Sequence, residues 1–158
     1  MRIIVVSDTH GNYSALEKVI ERNLSADIFV HLGDGERELD KIVMKYPRLD
    51  IRHVAGNCDY ASLSPSVMII GAGDYKILAT HGHNFGVKYS LDRFKEVAKE
   101  NGATIAIFGH SHARLETHED GIYFLNPGSA ALPRDGSKPS YGFIDITNAG
   151  IVTNIVDL

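Results

Sequence analysis

Five short stretches of this chain carry side chains able to hold a divalent cation: Asp8-x-His10, Gly33-Asp34, Gly56-Asn57, His81-Gly82 and Gly109-His110-x-His112. Their donors are carboxylate oxygens, one amide and imidazole nitrogens, a set suited to Mn²⁺, Fe²⁺, Zn²⁺ or Ni²⁺. Cys58 is the only cysteine in 158 residues, so no thiolate cluster is available for a structural zinc or an iron–sulfur centre. Residues two apart point the same way along an extended segment, which would aim Asp8 with His10, and His110 with His112, at a common point. A carboxylate shared by two ions would hold them about 3.5 to 4 Å apart, the spacing at which a metal pair clamps a phosphoryl oxygen during in-line attack. Taken singly, each stretch reads as an ordinary turn or a loop histidine; their order and common setting carry the inference of a metal site.

That setting is the end of a strand. Arg2 to Val6 is a β-branched apolar run that stops at polar Ser7-Asp8-Thr9-His10-Gly11. Tyr13, Leu16, Val19 and Ile20 then recur at helical spacing up to Asn23, with Ser14 and Glu17 forming a capping box. Asp27 to His31 repeats the strand pattern, and Leu39, Ile42, Val43 and Tyr46 mark a helix face stopped by Pro47. Ile51 to Val54, Val67 to Ile70, Lys76 to Thr80 and Thr104 to Phe108 read as further strands, with a helix bearing Leu91, Phe94, Val97 and Ala98 behind Ser90. Arg114 to His118, Ile122 to Leu125 and a hairpin of Tyr141 to Ile146 and Ile151 to Val156 across Asn148-Ala149-Gly150 complete the chain. Every candidate ligand follows one of these strands beside a glycine expected to turn the backbone tightly, where ligands collect in α/β sheets. The pattern βαβα followed mostly by β predicts an α/β (α+β) fold of two packed β-sheets, a β-sandwich flanked by α-helices. No linker or repeat interrupts it, so residues 1–158 are read as one domain.

Composition narrows the function classes. With 44% hydrophobic and 23% charged residues the chain suits a soluble globular protein, and the longest apolar runs, such as Ala103 to Phe108, are far shorter than a membrane span. The lone cysteine and the absence of a signal-peptide pattern at Met1-Arg2 point to a reducing cytoplasm. A net charge of −4 argues against a nucleic-acid binder, which would show a basic patch, although two bound divalent cations would neutralise it.

The stretches SDTHGN (7 to 12), HLGD (31 to 34), GNCD (56 to 59), THGH (80 to 83), GHSH (109 to 112) and LNPGS (125 to 129) resemble the calcineurin-like metallophosphoesterases, in their small YfcE-type phosphodiesterase subgroup. The resemblance spans most of the chain and implies the same sandwich fold. It implies that Asp8, His10 and His112 hold one metal, that Asn57, His81 and His110 hold a second, and that Asp34 bridges them. The implied cofactors are two divalent ions, Mn²⁺ foremost, with Ni²⁺, Fe²⁺ or Zn²⁺ as alternatives. The implied reaction is attack of a metal-bound hydroxide on a small phosphodiester, giving a phosphomonoester and an alcohol. A phosphomonoesterase or pyrophosphate hydrolase on the same core, and a non-catalytic protein-binding scaffold like the retromer subunit of this fold, are the competing readings. Relatives self-associate, so a homo-oligomer is open to this chain.

Cys58 departs from the wider superfamily, in which a histidine after the asparagine protonates the leaving oxygen. The YfcE-type subgroup commonly carries this cysteine, and Asp59 keeps the place of the partner acid. A thiol near phosphate and Asp59 is a reluctant proton donor, which favours leaving groups needing little protonation. His83, two residues beyond His81, is the candidate substitute acid. His31 reads as a buried, hydrogen-bonded histidine, His53 and His118 as structural or surface residues, and Asn126-Pro127-Gly128-Ser129 as a turn supporting the ligand loops. Arg37, Arg114 and Arg134 could meet a phosphate but read first as solvated surface arginines.

Overall fold

The computed structural model describes residues 1–158, which form ten strands in two five-stranded sheets. The first holds β1 (Arg2–Val6), β2 (Ile28–His31), β3 (Ile51–His53), β9 (Ser140–Thr147) and β10 (Gly150–Asp157) in the order β10-β9-β1-β2-β3. Here β1, β2 and β3 are parallel, connected through α1 (Tyr13–Arg22) and α2 (Glu36–Lys45), while β9 runs antiparallel to β1. The second sheet holds β4 (Val67–Ala72), β5 (Tyr75–Thr80), β6 (Ile105–Ile107), β7 (Arg114–Glu119) and β8 (Ile122–Pro127) in the order β4-β5-β6-β8-β7. β6 is parallel to both β5 and β8, and α3 (Asp92–Glu100) makes the crossover from β5 to β6.

The period of two along β1 explains both layers it touches. Ile3 and Val5 pack into the seam between the sheets with Ile77, Ala79, Ile105 and Ile107. Ile4 and Val6 face the other way, onto Leu16, Val19 and Ile20 of α1 and Leu39 and Ile42 of α2. Buried on both faces, such a strand has no polar alternation and reads as a continuous apolar run. On the far side, α3 sets fully buried Phe94 and Ala98 against Leu78, Ala106 and Phe124; burying a side chain the size of Phe94 contributes about 2 to 3 kcal/mol. The sandwich with helices on its outer faces is the architecture expected.

Three local expectations are corrected. The cap of α1 is Asn12, whose side-chain oxygen accepts from the Ala15 amide at 3.0 Å, and not Ser14. Asn12 already satisfies that amide, which leaves Ser14 and Glu17 inside the helix and Glu17 paired with Lys45 at 2.7 Å. Val43 is 45% exposed, and buried Glu38 stands on the apolar stripe of α2 instead, four residues before Ile42. Strand β8 continues through Asn126 and Pro127, where a turn was expected. Pro127 pairs with Arg114 beyond the end of β6, so the missing N–H breaks no ladder there. Ser90 stands one residue before Leu91, the N-cap of α3, and its hydroxyl accepts from the Asp92 amide at 3.1 Å.

Candidate metal centre

The carboxyl ends of β1, β2, β3, β5 and β6 open on the same edge of the seam and bring all seven candidate ligands into one cluster. The ring nitrogens Nε2 of His10 and His112 lie 3.1 Å apart. Asp8 Oδ1 is 3.1 Å from His112 Nε2 and 3.8 Å from His10 Nε2. Asp34 Oδ2 stands between His10 Nε2 at 3.7 Å and His81 Nε2 at 3.5 Å. His81 Nε2 is in turn 3.1 Å from both Asn57 Oδ1 and His110 Nδ1.

These contacts are of a kind that hydrogen bonding leaves unsatisfied. His81 Nδ1–H donates to the Leu32 carbonyl and His112 Nδ1–H to the Leu132 carbonyl, both at 2.7 Å. A carbonyl only accepts, so each neutral ring presents a bare lone pair on Nε2. Those lone pairs face carboxylate and amide oxygens, which are acceptors as well. Asp8 Oδ1 is fully buried and, although close to His112, has no hydrogen-bond partner. An orphaned carboxylate oxygen among converging lone pairs fits a cation and little else. Burial alone would raise Asp8, but His112, His81 and Ser7 hold its carboxyl below the usual range. Burial works to lower His112 and Asp8 overrides it, raising the ring; a cation would take the place of that proton. Burial, and then His81, pushes His110 down to about 4, which keeps it neutral and able to ligate.

The expectation of extended Asp-x-His and His-x-His segments is corrected. Asp8, His10, Asp34, His110 and His112 all have positive φ, between 43° and 66°. Non-glycine residues in this region are uncommon and strained, so five of the seven candidate ligands are held in costly backbone conformations that surrounding contacts enforce. Gly56 and Gly109 serve close approach and have no positive φ. A Cβ on Gly109 would lie 1.9 Å from Ser7 Oγ, and one on Gly56 2.1 Å from Asp34 Oδ1.

The enforcing contacts are visible. Asp59 accepts from the backbone amides of Asp34, Gly35, Glu36 and Gly56 at 2.7 to 2.9 Å, with His53 Nε2 3.6 Å away. Burial would raise its carboxyl, yet His53 and these amides hold it far below the usual carboxylate range. Ser129 Oγ–H donates to the Asp8 carbonyl at 2.7 Å, and Asn126 Nδ2 donates to the Gly109 carbonyl at 3.0 Å. On the other flank, His31 Nδ1 accepts from Gly33 N, which places its proton on Nε2, facing Thr9 Oγ1 at 3.0 Å. Thr9 Oγ1–H donates to Glu38 Oε1 at 2.6 Å, and the Gly11 amide donates to the same oxygen at 2.7 Å. Glu38 therefore grips both neighbours of His10. Sequence reasoning missed it, although a carboxylate on the buried stripe of α2 was the available signal. Burial foremost pushes His31 down to about 3, consistent with the buried, neutral histidine expected.

Cys58 is exposed at the mouth of the site, and its thiol lies within ligating range of His10 and Asp34. Its amide donates to Asp34 Oδ1 at 2.7 Å, and Asn57 Nδ2 approaches the sulfur at 3.3 Å. Burial, with Asp34, Asp59 and Asp8 adding to it, pushes the thiol up to about 11. The His83 ring lies 5.4 Å from that of His81 and 6.0 Å from that of His110, with a buried, unpartnered Nδ1. Arg114 is held by Ser140, Asp157 and Lys138 away from the cluster, and His118 stacks on Tyr123 at 4.2 Å. Arg37 lines the cavity beside the cluster together with Lys41 and Tyr60, two residues that sequence reasoning passed over.

A β-sandwich between helices, with nitrogen and oxygen donors gathered where its strands end, defines a metal-binding sandwich domain. Residues 1–149 match the calcineurin-like phosphoesterase superfamily domain, and the chain belongs to that family. It is 34% identical to the probable metallophosphoesterase YsnB of Bacillus subtilis, over 99% of this chain and 91% of that protein. It is 26% identical to the phosphodiesterase YfcE of Escherichia coli, over 92% of this chain and 88% of that one. A crystal structure of a predicted phosphoesterase from Streptococcus pneumoniae superposes with a TM-score of 0.87 at 32% identity, covering 99% of this chain and 88% of that one. Membership implies a phosphoric ester hydrolase that uses divalent metal ions. No helix is long and apolar enough to cross a membrane.

Proposed function

We propose that the protein is a cytoplasmic, metal-dependent phosphodiesterase acting on a small phosphodiester through a dinuclear centre, with residues 1–158 working as one catalytic domain. The observation that carries the reading is the unpartnered Asp8 Oδ1 facing the bare Nε2 lone pairs of His81 and His112. In this reading Asp8, His10 and His112 hold one ion and Asn57, His81 and His110 the other, Mn²⁺ foremost. Asp34 bridges them, supported by the place of its Oδ2 between His10 and His81. When bound, the ions supply positive charge to the phosphoryl oxygens and a water activated for attack.

The chain's own residues do the rest. Asp59 fixes the Asp34 and Asn57 loops through four backbone amides, so the donors stay in place as charge develops on the phosphoryl group. Cys58 stays protonated at neutral pH and stands at the mouth beside the leaving oxygen. As a weak acid it helps little with alkoxide departure, which favours phenolate-type leaving groups. His83 supplies the alternative proton donor. YfcE's description as a phosphodiesterase supports diesters as the substrate class.

The test is hydrolysis of bis(4-nitrophenyl) phosphate, 4-nitrophenyl phosphate and pyrophosphate by Mn²⁺-reconstituted protein, beside Asp34→Asn. Metal-dependent diester turnover that falls by about a thousandfold in the variant is expected. Unchanged activity in Asp34→Asn would remove the bridging role; absence of both metal uptake and turnover would leave a non-catalytic scaffold. Cys58→His is expected to improve alkyl esters relative to nitrophenyl esters.

A further inference from the structure

At the mouth of the cluster three side chains bring different donor atoms together. His10 offers a ring nitrogen, Asp34 a carboxylate oxygen and Cys58 a sulfur, each within 4.8 Å of the other two. His10 Nε2 and Asp34 Oδ2 are 3.7 Å apart, close to the separation of two donors that share one ion. Cys58 is tied into this group by its neighbours. Its amide donates to Asp34 Oδ1 at 2.7 Å, which leaves Oδ2 turned toward His10, and Asn57 Nδ2–H donates to its sulfur at 3.3 Å. A hydrogen bond into sulfur favours the thiolate over the thiol. A second observation puts a cation against the same ring from the buried side: Asp8 Oδ1, fully buried and without a hydrogen-bond partner, lies 3.8 Å from His10 Nε2. Asp8, Asp34 and His112 are buried whereas Cys58 is exposed, so the sulfur stands on the solvent side of the cluster, where water and substrate arrive.

Sulfur sorts cations in a way that the other donors do not. Carboxylate, amide and imidazole groups suit a range of divalent ions, whereas a thiolate holds soft and borderline ions such as Cd²⁺ and Zn²⁺ far better than Mn²⁺. A catalytic site keeps one coordination position open, and a further protein ligand in that position gives the closed shell of a structural site. We infer that Cys58 is an additional ligand for thiophilic divalent cations, joining His10 and Asp34 and closing from the solvent side a position that Mn²⁺ leaves open. As the metal–sulfur bond forms, the S–H bond breaks and its proton passes to water. The inference rests on the reading of His10 and Asp34 as metal ligands. It makes the identity of the ion decide whether the centre is open or capped.

The test is titration of the whole chain, stripped of metal by chelator, with Cd²⁺ and separately with Mn²⁺. Cys58 is the only cysteine, so a thiolate-to-cadmium charge-transfer band in the ultraviolet reports this sulfur alone. The band is expected in the parent, and His10→Ala should need about tenfold more Cd²⁺ to form it. Cys58→Ser should weaken Cd²⁺ binding about tenfold, measured by equilibrium dialysis, and leave Mn²⁺ affinity as in the parent. Cd²⁺ bound without the band, or the same change in affinity for both ions, would overturn the role of Cys58 and leave the metal centre standing. A band formed at the same Cd²⁺ concentration in His10→Ala would place the ion outside the cluster and overturn the inference as well. Absence of any Cd²⁺ or Mn²⁺ uptake would remove the reading of His10 and Asp34 as ligands, and the inference with it.

Discussion

The two sheets contribute different chemistry to the same cluster. The first supplies anionic or amide oxygens from Asp8, Asp34 and Asn57, with His10, and anchors them through carboxylates that grip backbone amides, Asp59 on one flank and Glu38 on the other. The second supplies the imidazoles of His81, His110 and His112, two of them oriented by ring N–H groups that donate to carbonyls. One half brings charge and the other brings neutral lone pairs. A cation satisfies both at once, which is why Asp8 Oδ1 can stay unpartnered in a buried seam. The difference also predicts unequal sensitivity, because a missing charge is harder to replace than a missing neutral donor.

The largest effect is expected from removing that charge. Asp8→Asn should lower diester turnover by about a thousandfold and reduce bound metal, measured by elemental analysis, while His112→Ala should cost about a hundredfold. Equal losses on the two sides would break the division of labour. Next comes the anchor of the first sheet: Asp59→Ala leaves four backbone amides without their acceptor and should destabilise the fold by about 3 kcal/mol in urea denaturation. A smaller effect should separate the two forms of the Glu38 grip. Glu38→Ala is expected to weaken metal affinity about tenfold, whereas Glu38→Gln, which keeps the accepting oxygen, should stay near the parent. Equal affinities in the two variants would show that Glu38 does not position His10.

The last effect is one of pH. His31 has its folded-state pKa depressed to about 3 from an ordinary 6.5. Between those values the unfolded chain binds a proton that the folded chain does not, so stability falls as pH drops below 6.5, at about 1.4 kcal/mol per unit. In chelator-treated protein, His31→Gln should flatten this slope relative to the parent. Parallel curves would mean that His31 is not the group responsible.

The sequence made the strands and their ligands legible because both signals are local: β-branched runs mark the strands, and ligand chemistry is a property of residue type. The flanking sandwich followed from the order of the elements. The left-handed backbone at Asp8, His10 and His112 was hidden, because Asp and His are not restricted to that region and only distant contacts impose it. Asp59 could be placed beside Asn57 but not given its clamp, since the amides it shares with α2 are up to 25 residues away. Val43 and Glu38 traded places because helical spacing admits both to a stripe that only packing resolves. Gly56 and Gly109 were recognised as necessary, but the reason is what presses against them.

The joining of the cluster across the seam has a consequence for biosynthesis. Asp8 and the His110 amide are 102 residues apart, and the Asp8 carbonyl waits a further stretch of chain for Ser129. β9, which flanks β1, begins at Ser140, later in the chain than every candidate ligand. A nascent chain thus exposes Asp8 and His10 long before it owns the imidazoles that complete the set. A cation held by both halves of the cluster would be captured only after His112 has been made, so its binding would report that the two sheets have met.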